Sequence, residues 1–281
     1  MIRLSFSYEI KPKQPFFVLF SENYLKYPVN SLGISHFYQC KTNIHPRYVI
    51  PDGCVDMVFC CSSDNPSAEI CGSVLEPEIA LLKPNTCYFG VRFLPGYNPV
   101  LEKTHIMKCL INQKIPFEEL INDKRMMEGI WNNTNFISQI QVFMRSYMSI
   151  YRRINPEYNN DVLANYTTCQ LIYSKGNISI EKIAENSGYS VRYLNKRFKD
   201  SVGISPKQFA EIIRFQNSLN YLNIHSKNTL TDISVECGYF DQSHFVHDFK
   251  KYTGITPKKY RTQLNDLDFS EKLKIISDIS L

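Results

Sequence analysis

No apolar run in this 281-residue chain reaches the roughly 18 consecutive apolar positions that a membrane-spanning helix requires, so no membrane role is expected. There is no CxxC pair and no HxH pair, so neither a zinc ribbon nor a His-based metal cradle has ligands at the spacing it needs. Phosphate-loop and Ser-His-Asp signatures are missing as well, which takes away the usual footholds of an enzyme reading. The opening MIRLSFSYEIKPKQPFF has no secretory apolar core and no small-residue cleavage site, so a cytoplasmic protein is expected. Hydrophobic residues at 43% and charged residues at 21% are those of a globular chain, long enough for two domains.

Nine cysteines are present, but their arrangement does not describe a disulfide framework. Their number is odd, Cys60 and Cys61 are adjacent, and several others sit in apolar, strand-like runs. Buried, reduced thiols are the plain expectation. A redox-responsive set built on Cys54, Cys60, Cys61 and Cys71 is the alternative. No metal or cofactor is expected; His36, His45 and His105 stand alone in the sequence.

The net charge is +5, and its distribution is uneven. Residues 161–261 hold 14 Lys+Arg against 9 Asp+Glu, whereas residues 262–281 hold 2 against 4. The positive excess therefore lies in the second half and favours a polyanionic partner there.

The first hundred residues read as β-rich. RYVIPDGCVDMVFCCS places two apolar runs around the turn signal Pro51-Asp52-Gly53, and CYFGVRFLPGY ends at Pro95-Gly96. Short strands separated by turns imply a sandwich or small barrel. At 133–151 the period changes. Phe136, Ile140, Phe143, Met144, Tyr147 and Tyr151 form an amphipathic helical stripe, which serves either to cover its own β-domain or, the favoured reading, as a dimer seam. RRINPEYNND (152–161) reads as a linker. The expected organisation is a β-rich domain over 1–130, an amphipathic helix and linker over 131–160, an all-helical domain over 161–265 and a tail over 266–281. The expected fold class is thus α+β.

One pattern is spelled twice in the second half. GYSVRYLNKRFKDSVGISPKQF (188–209) returns as GYFDQSHFVHDFKKYTGITPKKY (238–260). Ahead of each copy lies a capped helix, opened by Ser179 and by Thr229, with Asp232 placed to close a capping box. A long helix opened by Ser205-Pro206 joins the copies, with Phe209, Ile212, Ile213, Leu219 and Leu222 available to both flanking units. The spacing of Ala184, Gly188 and Leu194 is that of a helix-turn-helix: a small residue for close approach, a glycine for the turn, a large apolar residue inserted from the second helix. Ser234, Gly238 and Phe245 repeat it with one extra residue.

The polar letters differ between the copies. With Arg192 as zero and about 100° per residue, Lys196, Lys199 and Asn195 fall at about 40°, 340° and 300°, whereas Val191, Leu194 and Phe198 occupy about 200–260°, a core-facing arc. In the second copy Gln242, Ser243, Val246, His247 and Lys250 share the outer arc. Arg and Lys suit guanine or phosphate and Asn suits adenine, so these residues are candidate contacts to double-stranded DNA.

From Ile178 to Arg261, IAENSGYS, LNKRFKDSVGISP and GYFDQSHFVHDFKKYTGITPKKYR resemble the DNA-binding domain of the AraC/XylS family of bacterial transcription regulators. The resemblance implies two helix-turn-helix units on one long helix, reading successive major-groove segments. It aligns Arg192, Asn195 and Lys196, and then Gln242, Ser243, Val246 and His247, with base-facing positions. RYVIPDGCVDMVF and YFGVRFLPGY resemble, more loosely, an effector-type domain that precedes it in some members. There Asp52, Asp56 and Arg92 are candidates either for a structural ion pair or for binding a charged effector. The function expected is a sequence-specific regulator, an activator in preference to a repressor, with a small-molecule effector, RNA polymerase and a second copy of the chain as further candidate partners. An enzyme joined to the same DNA-binding domain would need a reactive cysteine in a recognisable context, and none is present.

Overall fold

A computed structural model of the chain describes residues 13–19, 21–43, 47–100, 103, 105–154, 161–224, 228–266 and 273–276. His45 and residues 155–160 of the expected linker lie outside them. The chain runs α1 (Pro15–Leu19), β1 (Asn23–Ser31), β2 (Ile34–Lys41), β3 (Arg47–Val49), β4 (Asp56–Cys60), β5 (Ser67–Cys71), β6 (Glu78–Ala80), β7 (Cys87–Phe93) and α2 (Met107–Leu110). It continues through β8 (Lys114–Pro116), α3 (Phe117–Leu120), α4 (Lys124–Trp131) and the long α5 (Phe136–Ile154). The helical half is α6 (Val162–Tyr173), α7 (Ile180–Ser187), α8 (Val191–Val202), α9 (Pro206–Ile224), α10 (Leu230–Glu236), α11 (Gln242–Thr253) and α12 (Pro257–Asp266), followed by β9 (Leu273–Ile275). The α+β reading therefore holds, with a β-rich first part and an all-helical second part. Among the described residues no helix is long and apolar enough to cross a membrane.

Seven strands form one sheet in the order β8-β5-β4-β7-β2-β1-β9, while β3 and β6 pair separately. Side chains alternate across a strand, and here the two faces have different employment. Phe37 of β2, Met57 and Phe59 of β4, and Phe89, Val91 and Phe93 of β7 build the core on one face. Their neighbours Tyr38, Asp56, Val58, Cys60, Tyr88 and Arg92 line a cavity on the other. Tyr38 lies opposite Gly90 in the ladder, and a Cβ on Gly90 would fall inside the Tyr38 ring. A side chain there is sterically excluded.

The amphipathic stripe covers its own sheet. Phe136, Ile140, Phe143 and Tyr147 are buried in the sheet core, and Met144 and Tyr151 pack at its margin. Phe143 meets Phe37 edge-on at 5.6 Å. The dimer-seam reading of these residues is thereby corrected: periodicity shows that one helix face is apolar, not which surface buries it. The segment read as linker also starts later than expected, since residues 152–154 complete α5. The tail does more than trail. Its β9 adds in parallel to β1, pairing Tyr24 with Leu273 and Lys26 with Ile275.

The helical half shares its core with two residues from the other side, Phe16 of α1 and Ile50. Phe16 meets Tyr260 edge-on at 5.6 Å. Gln216 of α9 is fully buried; its Nε2 donates to the Pro51 carbonyl at 2.8 Å and its Oε1 accepts from the Lys13 backbone N–H at 2.8 Å. Lys108 of α2 pairs with Asp200 of α8. The two parts are therefore packed together through specific hydrogen bonds.

Candidate nucleic-acid interface

Each helix-turn-helix is punctuated as its sequence requires. Ser179 caps α7 by accepting from the Lys182 N–H, and the helix ends at Gly188 in the left-handed conformation, φ +72°. Ser190 then caps α8 by accepting from Tyr193, and α8 ends at Gly203. In the second unit Thr229 and Asp232 form a capping box for α10, and Asp241 caps α11 by accepting from the His244 N–H. Such a cap satisfies otherwise unpaired N–H groups at the start of a helix and contributes about 1 kcal/mol.

Between the units, α9 holds both α8 and α11 by their inner faces. Leu194 and Phe198 of α8 are fully buried, and Phe198 meets Phe209 of α9 edge-on at 5.5 Å. Phe245 and Phe249 of α11 are equally buried, and Phe249 meets Phe215 of α9 at 5.7 Å. One residue departs from its expected arc. Val191 is exposed, because it opens α8 before the helix has reached the core.

The outer faces of α8 and α11 are available to a partner. Arg192, Lys196 and Lys199 are exposed on the first; Gln242, Ser243, His247 and Lys250 are exposed on the second. Asn195 and Val246 are half-buried at the margins of these faces. Two of the polar groups hold internal hydrogen bonds: Asn195 Nδ2 donates to the Val191 carbonyl at 2.9 Å, and Gln242 Oε1 accepts from Thr231 at 2.6 Å. Arg197, on the same helix as Arg192, is turned away and pairs with Asp161 at 2.9 Å. Tyr189 and Tyr193 stack at 5.3 Å beside Arg192, and both are exposed. Helical angles along α8 do not reveal this aromatic pair, because Tyr189 lies ahead of the helix.

The other candidate cluster, Asp52, Asp56 and Arg92, lies far back in the sheet. All three are buried. Arg92 forks onto Asp56, Nε to Oδ1 at 3.0 Å and Nη2 to Oδ2 at 2.6 Å, while its Nη1 reaches Asp52 at 2.8 Å. Burial pushes the Asp56 carboxyl above its ordinary value against the pull of Arg92. Burial opposes the Arg92 charge too, but the two carboxylates more than offset it, so its pKa is raised.

All nine cysteines are thiols outside any disulfide, and only Cys109 is exposed. Burial raises the thiols of Cys54, Cys61 and Cys71, the latter two to about 12, opposite to the depression that makes a thiol reactive. Among the described residues no group of three or more His, Cys, Asp or Glu is placed to hold a metal ion. His36 is buried and His105 exposed.

Two family models match separate stretches of the chain. A family model described as a helix-turn-helix domain matches residues 183–263, and a second, described as a domain of unknown function (DUF6597), matches residues 32–116. The HTH-type transcriptional activator RhaR of Escherichia coli (strain K12) is 29% identical over 107 residues, which are 38% of this chain and 38% of that protein. A probable AraC family transcriptional regulator from Rhodopseudomonas palustris is 27% identical, with a TM-score of 0.33, over 36% of this chain and 95% of that structure. ToxT from Vibrio cholerae is 13% identical with a TM-score of 0.45, over 81% of this chain and 97% of that structure.

Proposed function

We propose that the chain is a member of the AraC/XylS family and a sequence-specific DNA-binding transcription regulator acting as an activator, a reading supported by the helix-turn-helix domain matched over residues 183–263. The observation that supports this most directly is the doubled unit. Two recognition helices, α8 and α11, are held by their apolar faces on the single helix α9, with unlike polar faces left outward. The apolar letters and glycines persist between the copies because both need one fold. The polar letters differ because the two helices read different base pairs.

In this reading Arg192, Asn195, Lys196 and Lys199 enter one major-groove segment, and Gln242, Ser243, Val246, His247 and Lys250 enter the next. Arg192 is suited to guanine O6 and N7 bidentately, while Lys199 and Lys250 are suited to phosphate. The positive excess over residues 161–261 favours encounter with the duplex. Activation is supported by the similarity to RhaR, an HTH-type transcriptional activator, and it implies contact with RNA polymerase in the cytoplasm. A homodimer would need a surface other than the α5 stripe.

Selection of bound genomic fragments by the full-length protein, followed by sequencing, tests the reading. Recovery of a shared asymmetric motif is expected; recovery of unrelated fragments in proportion to their abundance would refute sequence readout.

A further inference from the structure

The face of the sheet opposite α5 encloses a cavity of about 210 Å³, roofed by the β3–β6 pair. Its floor is the Asp52–Arg92–Asp56 cluster. Two carboxylates against one guanidinium leave an excess of one negative charge among buried groups. Unbalanced charge away from water is costly and draws a counter-charge. The charged groups nearer the mouth do not supply it. Lys114 faces Glu78 at 3.9 Å, and the remaining lining charges, Lys83 with its Nζ on the Asn65 carbonyl and Glu69, are one of each sign, so the excess of one negative charge stands. An anion entering here would meet carboxylates, with the Arg92 fork already occupied by Asp56.

The wall beside this floor is aromatic. Tyr24 and Tyr38 stack at 5.4 Å, and Phe17 sets its edge to both, at 6.4 and 6.1 Å. Ring faces attract cations through their quadrupole, the more strongly when water is excluded. Excess negative charge at the floor and aromatic surface at the side recognise one ligand chemistry.

We propose that this cavity binds a small organic cation with an apolar body, its ammonium at the Asp56–Arg92–Asp52 cluster and its body against Tyr24, Tyr38 and Phe17. The consequence for DNA rests on the regulatory reading above. Asp52 Oδ2 also accepts from Gln14 Nε2 at 2.8 Å, and Gln14 Oε1 accepts from the Ile50 N–H at 2.9 Å. The next groups along, the Lys13 N–H and the Pro51 carbonyl, are those held by Gln216 of α9. Helix α1 likewise sends Phe17 into the cavity and Phe16 into the core beneath the recognition helices. A cation drawing on Asp52 thus acts on a network that ends on the helix joining the two reading units.

The test titrates the full-length protein calorimetrically, without DNA, with 2-phenylethylamine, the anion 3-phenylpropionate and the neutral 2-phenylethanol. The amine is expected to bind at least tenfold more tightly than the other two. Asp56→Asn should remove that preference. Because it also strips Arg92 of a partner, Val58→Phe is the companion variant; it fills the cavity from β4, leaves every charge in place and should abolish amine binding. Equal or tighter binding of the carboxylate, no binding of the amine, or undiminished binding by Val58→Phe would each overturn the proposal. Repeating the DNA titration with amine present separates the two layers. Amine binding with no change in DNA affinity would leave the site standing and overturn its regulatory reading.

Discussion

Gln216→Ala puts the junction between the two parts of the molecule to a quantitative test. Gln216 is fully buried on α9, and its amide satisfies the Lys13 N–H and the Pro51 carbonyl, both at 2.8 Å. Truncation leaves the buried Pro51 carbonyl and the half-buried Lys13 N–H unpaired. Each unsatisfied group costs about 1–3 kcal/mol, and relief of the ordered glutamine side chain returns part of that, so a net loss of about 2–4 kcal/mol follows. Gln216→Glu separates the two bonds. It keeps an acceptor for Lys13 but sets a carboxylate against the Pro51 carbonyl, and it should cost more than alanine. Urea denaturation reads both parts. Trp131, the only tryptophan, lies in α4 and reports on the sheet side through its fluorescence, whereas far-UV circular dichroism is dominated by helix. The two transitions should coincide in the wild type and part in Gln216→Ala. Stability within about 0.5 kcal/mol of wild type, the range of an ordinary surface change, would refute the reasoning.

Three further outcomes are expected. Arg192→Ala should weaken binding to a selected DNA motif by about 1–3 kcal/mol while sparing random DNA, whereas Lys250→Ala should weaken both alike and shallow the slope of log K against log salt by about 0.9; titrations at several salt concentrations distinguish them. Gly188→Ala should lose about 1–2 kcal/mol, since a Cβ there meets nothing and only the left-handed backbone resists it, while Gly238→Ala should lose more because its Cβ also strikes the Asn177 amide; equal urea midpoints would contradict this. Burial holds the His36 pKa well below its ordinary value, so the unfolded chain takes up a proton that the native chain refuses. Stability should therefore fall as pH drops below about 6.5, by up to about 1.4 kcal/mol per pH unit, and His36→Gln should remove that part of the slope in pH-dependent denaturation.

The helical half was legible almost letter by letter. Ser179, Thr229 with Asp232, and the glycines at 188 and 238 act through local backbone geometry, and local chemistry of that kind is written in the sequence. Leu194 and Phe198 are buried where the helical period places them, whereas Val191 on the same arc is exposed at the first turn. Legibility ended where the partner surface is remote in sequence. The α5 stripe announced an apolar face and could not say that Phe37 and Phe93 would cover it. Gln216 read as one polar letter in an amphipathic helix; only the return of residues 13–16 and 50–51 makes it a junction. Strand β9 depends on an open edge at β1 that no local pattern in residues 273–275 describes. The cluster of Asp52, Asp56 and Arg92 was visible as residue types, but their pairing across the sheet was not. The ion pair exists, and it floors a cavity.

The measurement that bears most directly on the account is a base-by-base binding profile of the selected motif for wild type, Arg192→Ala and Gln242→Ala. Two recognition helices on one connecting helix predict that each substitution relaxes preference within its own segment, the two segments lying about one helical turn, or ~10 base pairs, apart. Loss of preference at the same positions in both variants, or at none in either, would contradict it.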